Sequence, residues 1–212
     1  MKRLCVICEG PTEVEFVKNC LEPYLRPQGL HTYPSLLQAP SGNHRGGRVT
    51  VERLGKHLAH EYDRTDRITT LVDYYGFRDA GGSSRAQLEA DILAETLKWN
   101  PRADKRFILP YVQMYEFEGL LFSDIEQFHY VLDGWNKEAR TQLLAIRNAF
   151  ETPEKINNSK ETAPSKRILK IFGEQAYSKT EHGPIIAEEI GLEKIRLQCA
   201  QFDEWIKKLE VW

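Results

Sequence analysis

Residues 4–17 read LCVICEGPTEVEFV, and this stretch decides the fold. The unbroken apolar run from Leu4 to Cys8 is the pattern of a strand buried on both faces, as in a parallel sheet covered by helices. A helix follows, starting at Pro11 or Thr12, with Val14, Phe16, Val17, Cys20, Leu21 and Leu25 recurring at helical spacing. Thr12 and Glu15 fit a capping box. Between strand and helix stands Glu9. A carboxylate at the mouth of a core strand costs free energy unless a cation or hydrogen-bond donor faces it.

The same alternation continues along the chain. A second strand is expected near His31–Leu37, then a Gly-, Asn- and Arg-rich loop and a helix from about Val49 to Tyr62. DRITTLVDYYGF (66–77) reads as the third strand, with Asp73 at its carboxyl end. A turn leads into a helix over Arg85–Trp99, and RFILPYVQMY (106–115) reads as a fourth strand. Residues 1–115 are therefore expected to form an α/β core, a mostly parallel sheet with helices on both faces. Residues 116–212 read as a helical C-terminal extension packed on that core in a single globular unit, beginning with a helix over EFEGLLFSDIEQFHYVL.

Composition limits the function classes. Among 212 residues, 41% are hydrophobic and 28% charged, which suits an ordinary globular chain. No window approaches the length of a membrane span, and the short apolar stretch near the N-terminus ends in an acid, so a cytoplasmic protein is expected. A net charge of −2 does not by itself indicate nucleic-acid binding. A local cluster can still steer a polyanion: NHRGGRVTVERLGKH is either a solvated face or places His44, Arg45 and Arg48 to contact a phosphate backbone without base specificity. Cys5 and Cys8 form a C-x-x-C, but inside a strand an offset of three sends the two side chains to opposite faces. No second pair completes a zinc site, so both are read as core.

In open parallel sheets, ligands bind beyond the carboxyl ends of the strands at a topological switch point. Glu9 and Asp73 both sit at such ends and are expected to converge. The first turn lacks the lysine of a phosphate-cradling loop and is acidic instead. A hard divalent cation, Mg²⁺ or Mn²⁺, reconciles carboxylates with phosphate. Glu13 is either a further ligand or a complement to the helix dipole, and Asp79 is a turn residue or an additional ligand. Glu116 and Glu118 follow the fourth strand and could complete a second metal position. Lys166 and Arg167 open a helix whose dipole they oppose, which suits groups that neutralise charge developing on phosphate.

EGPTEVEFV, LVDYYGF, YEFEGLLFSD, ETAPSKRI and HGPIIAEEIGL together resemble the bacterial domain of unknown function 4276, a family grouped with the TOPRIM fold and similar to overcoming-lysogenization-defect nuclease domains. The resemblance implies a Mg²⁺-dependent site acting on phosphodiester bonds, with Glu9 as metal ligand or general acid/base. The Asp-x-Asp motif falls on Asp73-Tyr74-Tyr75, so Tyr75 stands where a second aspartate is expected, and Glu116, Glu118 or Asp79 would substitute. Lys166 matches the lysine that assists the chemistry. Phage-defence or mobile-element loci and an ATPase partner are further implications.

Three functions are consistent with these features. The first is a metal-dependent nuclease using Glu9, Asp73 and Lys166 as catalytic residues. The second is a catalytically inactive binding or regulatory subunit of an ATPase complex. The third is a phosphohydrolase with Asp73 as nucleophile.

Overall fold

The computed structural model describes residues 1–37, 49–157 and 159–212. The chain divides into two compact units, Met1–Gln113 and Met114–Trp212.

The first unit is the expected parallel α/β sheet. Its strands are β1 (Lys2–Cys8), β2 (Leu30–Leu36), β3 (Arg67–Asp73), β4 (Ile108–Leu109) and β5 (Val112–Gln113). Their order is β2-β1-β3-β4, with β5 pairing the end of β3, and every ladder is parallel. The chain leaves β1 to one side and returns to the other, so the switch point lies between β1 and β3. Glu9 follows β1 and Asp73 ends β3 at that point.

The fourth strand is interrupted. Pro110 cannot donate to the ladder, and the sequence-derived single strand becomes the short pieces β4 and β5. Thr70 bridges the gap: its hydroxyl accepts the Tyr111 N–H at 2.8 Å and donates to the Tyr111 carbonyl at 2.7 Å.

Helices α1 (Pro11–Phe16) and α2 (Glu22–Leu25) flank a π turn over Val17–Leu21; α3 (Val51–Tyr62) and α4 (Arg85–Trp99) complete the crossovers. Cys5 and Ile7 of β1 bury against Leu54 and Leu58 of α3 and Leu88 and Ile92 of α4. Cys8, offset by three, lies outside that cluster and is also fully buried. Burial pushes the Cys5 thiol up to about 12, the behaviour of a packing residue. Helices α3 and α4 approach closely because residue 55 is glycine; a Cβ there would lie 2.8 Å from the Glu95 Cβ.

The second unit is helical, as expected of the C-terminal half, but its start is not. Residues Phe117–Ser123 and Ile125–Tyr130 form 3₁₀ turns instead of one α-helix. They bury Phe117, Leu120, Leu121, Phe122 and Phe128, an apolar content too dense for the single stripe of an amphipathic helix. The unit continues through α5 (Lys137–Asn148), α6 (Pro164–Phe172), α7 (Lys179–Ile190), α8 (Leu192–Gln198) and α9 (Ala200–Glu210). Two carboxylates, buried Glu154 and half-buried Glu116, serve as remote helix caps here. Glu154 accepts the N–H groups of Gln201 and Phe202 at α9, at 3.0 and 2.8 Å, and Glu116 accepts that of Ser165 at α6, at 2.9 Å.

Candidate functional site at the switch point

Glu9 and Asp73 meet. The Glu9 carboxylate accepts the backbone N–H of Asp73 at 3.3 Å. It lies directly over Gly76 in the 3₁₀ turn after β3: a Cβ on residue 76 would fall 2.6 Å from Glu9 Oε1 and 2.7 Å from its Cδ, and closer still to Oε2. The absence of a side chain at 76 is thus what lets the carboxylate cross the switch point. Asp73 itself is 9% exposed.

The cation that faces Glu9 is Arg53, which the sequence reading did not single out. Residue Val49 pairs with Phe77 in a parallel bridge, and its N–H donates to the Gly76 carbonyl at 3.1 Å. This tie brings the start of α3 to the end of β3. Thr50 then caps the helix through the Arg53 N–H at 3.2 Å, and Asp79 accepts the Val51 N–H at 3.1 Å. Arg53 consequently leans over the sheet edge, where its guanidinium donates to the Leu37 carbonyl at 3.3 Å. Burial lowers the Arg53 pKa, and the charge of Glu9 opposes that shift. The cost of a carboxylate at this strand mouth is offset by an opposite charge and one backbone donor. A basic residue in the first turn of α3, against the helix dipole, was the available clue.

The remaining acids of the first turn have other work. Glu13 completes the capping box of α1: its carboxylate accepts the Gly10 N–H at 2.9 Å. The box is therefore Gly10 with Glu13, two residues earlier in cap and partner than Thr12 with Glu15, because Pro11 occupies the first helical position. Glu15 pairs instead with Lys18 at 2.8 Å. Asp79 is a cap for α3. Tyr75 contacts Tyr74, ring centroids 6.0 Å apart. Among the described residues no group of three His, Cys, Asp or Glu side chains is arranged to hold a metal ion. The loop residues His44, Arg45 and Arg48 lie outside the described residues.

Glu116, Glu118, Lys166 and Arg167 belong to the second unit. Tyr115 there adopts φ 60°, a left-handed conformation uncommon outside glycine, and the chain turns at it into Glu116. Glu118 is 0% exposed and faces Lys179, whose Nζ lies 3.0 Å away. Burial pushes the Glu118 carboxyl above its usual range, with Lys179 opposing and Glu116 adding to the rise. The buried Tyr177 hydroxyl has no hydrogen-bond partner among the described residues, and burial with the charges of Glu118 and Glu116 raises it well above the phenol range. Lys166 is exposed on the first turn of α6, whereas Arg167 donates to the Thr162 carbonyl at 2.7 Å and lies over the Phe150 ring.

No helix among the described residues is long and apolar enough to cross a membrane. No curated protein matches the chain. Among solved structures it is similar to the C-terminal region of the OLD protein of Xanthomonas campestris pv. campestris, with a TM-score of 0.44 and 14% identity, covering 98% of this chain and 97% of that one. The family model for the domain of unknown function 4276 matches residues 8–210, and the chain belongs to that family.

Proposed function

We propose that the chain is a divalent-metal-dependent phosphodiesterase acting on nucleic acid, with its reacting centre at the carboxyl ends of β1 and β3. One observation carries this reading: Glu9 and Asp73 are brought together at the switch point of a parallel sheet, with Arg53 beside them.

The donor set suits Mg²⁺ or Mn²⁺ of the open kind, held by one or two carboxylates and completed by water and substrate phosphate. It does not suit a closed protein cage, since no three ligating side chains converge among the described residues. When bound, such an ion supplies Lewis acidity toward phosphate and a more acidic water. The chain's own groups have separate roles. Glu9 and Asp73 provide the negative oxygens. Arg53, with its planar donor fork, would pair with a non-bridging phosphate oxygen. Gly76 leaves room for the Glu9 carboxylate and positions it. The reading rests on the first unit alone.

The test is cleavage of single- and double-stranded DNA and RNA with Mn²⁺ by wild type, Glu9→Gln, Asp73→Asn and Arg53→Met. Cleavage by wild type that is lost in Glu9→Gln and Asp73→Asn is expected. Equal activity in all four proteins would sink the assignment.

Two features favour a second reading, a binding subunit without catalysis: Glu9 already has a cationic neighbour in Arg53, and Tyr75 stands at the position of the second motif aspartate. That reading expects partner or nucleic-acid association unchanged by Glu9→Gln.

A further inference from the structure

The close approach of α3 and α4 places a second, unrelated feature on the first unit. A pocket of about 400 Å³ is lined by Lys56 and His60 of α3, Asp63 just beyond it, Trp99 at the end of α4, and Asn100 and Arg102 after it. Trp99 is 44% exposed, an unusual place for the largest aromatic side chain. Its indole N–H donates to Glu95 at 2.8 Å, which fixes the ring. Lys56 lies over the ring, Nζ 4.7 Å from its centroid.

The charges of this pocket differ from those around it. Neighbouring surface cations are neutralised: Lys98 pairs with Glu95 at 3.1 Å and Arg106 with Asp104 at 2.6 Å. Lys56 and Arg102 make no ion pair among the described residues. The wall therefore offers two cations against one carboxylate, Asp63. A half-open indole flanked by unneutralised cations matches a planar π system carrying a negative group. A nucleotide has that chemistry: its base stacks on an aromatic ring and its phosphate meets Lys or Arg. The volume lies within the range of small-ligand clefts.

We propose that this pocket binds a nucleotide, the base against Trp99 and the phosphate between Lys56 and Arg102, as a contact separate from the switch-point carboxylates. The choice of a nucleotide within a strand rests on the proposed nucleic-acid function; a free nucleotide offers the same chemistry.

The test is fluorescence anisotropy of a fluorescein-labelled oligo-dT with the full chain in EDTA, where metal-dependent cleavage is silent. Binding by wild type is expected, weakened at least about fivefold in Trp99→Ala, the low end for loss of one base–aromatic stack. Trp99→Phe should retain most of the affinity, which excludes a folding defect as the cause. Arg102→Glu, on an exposed residue, should also weaken binding and reduce its salt dependence. Competition by AMP assigns the pocket to free nucleotides, and competition by unlabelled oligo-dT alone assigns it to a strand. Absence of binding by wild type, or wild-type affinity in Trp99→Ala or Arg102→Glu, overturns the proposal. The two readings fail separately: cleavage abolished by Glu9→Gln tests the carboxylates, and affinity lost in Trp99→Ala tests the pocket.

Discussion

The carboxylate of Glu9 reaches from the end of β1 to the backbone N–H of Asp73 at the end of β3, and it can do so only because Gly76 carries no side chain. The two central strands of the sheet are thus joined at their carboxyl ends by a side chain as well as by the ladder between them.

This relationship makes Gly76→Ala informative. The new methyl group would displace the Glu9 carboxylate, and overpacking of this kind costs typically about 1–3 kcal/mol. In a Glu9→Ala background the obstacle is gone, so the same substitution should cost less than about 0.5 kcal/mol, a coupling that a double-mutant cycle by urea unfolding would read. Additive costs would mean that the two residues do not oppose each other.

Metal binding to the folded state raises its stability by RT ln(1 + [L]/Kd), roughly 2.7 kcal/mol at about 100 Kd. Mn²⁺ is expected to raise the unfolding temperature of wild type, and to leave Glu9→Gln and Asp73→Asn unmoved. A wild-type curve that stays flat, with and without a short oligonucleotide, would remove the metal from the proposed site.

The pair of buried Glu118 with partly exposed Lys179 in the second unit has a pH signature. Burial raises the Glu118 carboxyl above its ordinary range, so the folded chain holds this proton more tightly than the unfolded chain does. Its contribution to stability is greatest at low pH and is lost as pH rises through the raised value. Lys179 limits that loss. Because the Lys179 side chain is 40% exposed, Lys179→Met should cost less than the roughly 3–5 kcal/mol of a fully buried pair where Glu118 is charged, and progressively less as acid neutralises it. Urea midpoints measured near neutrality and in mild acid would show this, and an equal loss at both would exclude Glu118 as the source.

Glu154 caps α9 through two N–H groups, those of Gln201 and the buried Phe202. Glu154→Ala leaves both without their charged acceptor, and about 2 kcal/mol or more of stability should be lost. Glu154→Gln retains one acceptor oxygen and should recover part of it. Chemical denaturation of the two variants separates the outcomes.

Much of the first unit is legible in local patterns. Apolar runs bounded by turn residues mark β1, β2 and β3, helical spacing marks α3 and α4, and Glu9 and Asp73 stand out as carboxylates where apolar strands end. The break at Pro110 is not part of that reading, in which 106–115 is one strand, although a missing N–H is a property of the residue itself. The capping register reads two residues too late in the sequence: TEVE offers two glutamates, and with Pro11 in the first helical position the partner is Glu13.

In the first unit the sequence by itself determined most of the strand and helix segments, and that the chain places acids at the ends of two of its strands. Hydrogen bonding and amphipathic periodicity act between near neighbours, so those features are written locally. Only the tertiary structure decided that Arg53 faces Glu9, that Gly76 makes room for it, that Glu118 lies buried against Lys179, and that Glu116 caps α6. Each of these joins residues far apart in the chain, and electrostatic pairing depends on distances that the crossovers of the sheet and the packing of the helices create.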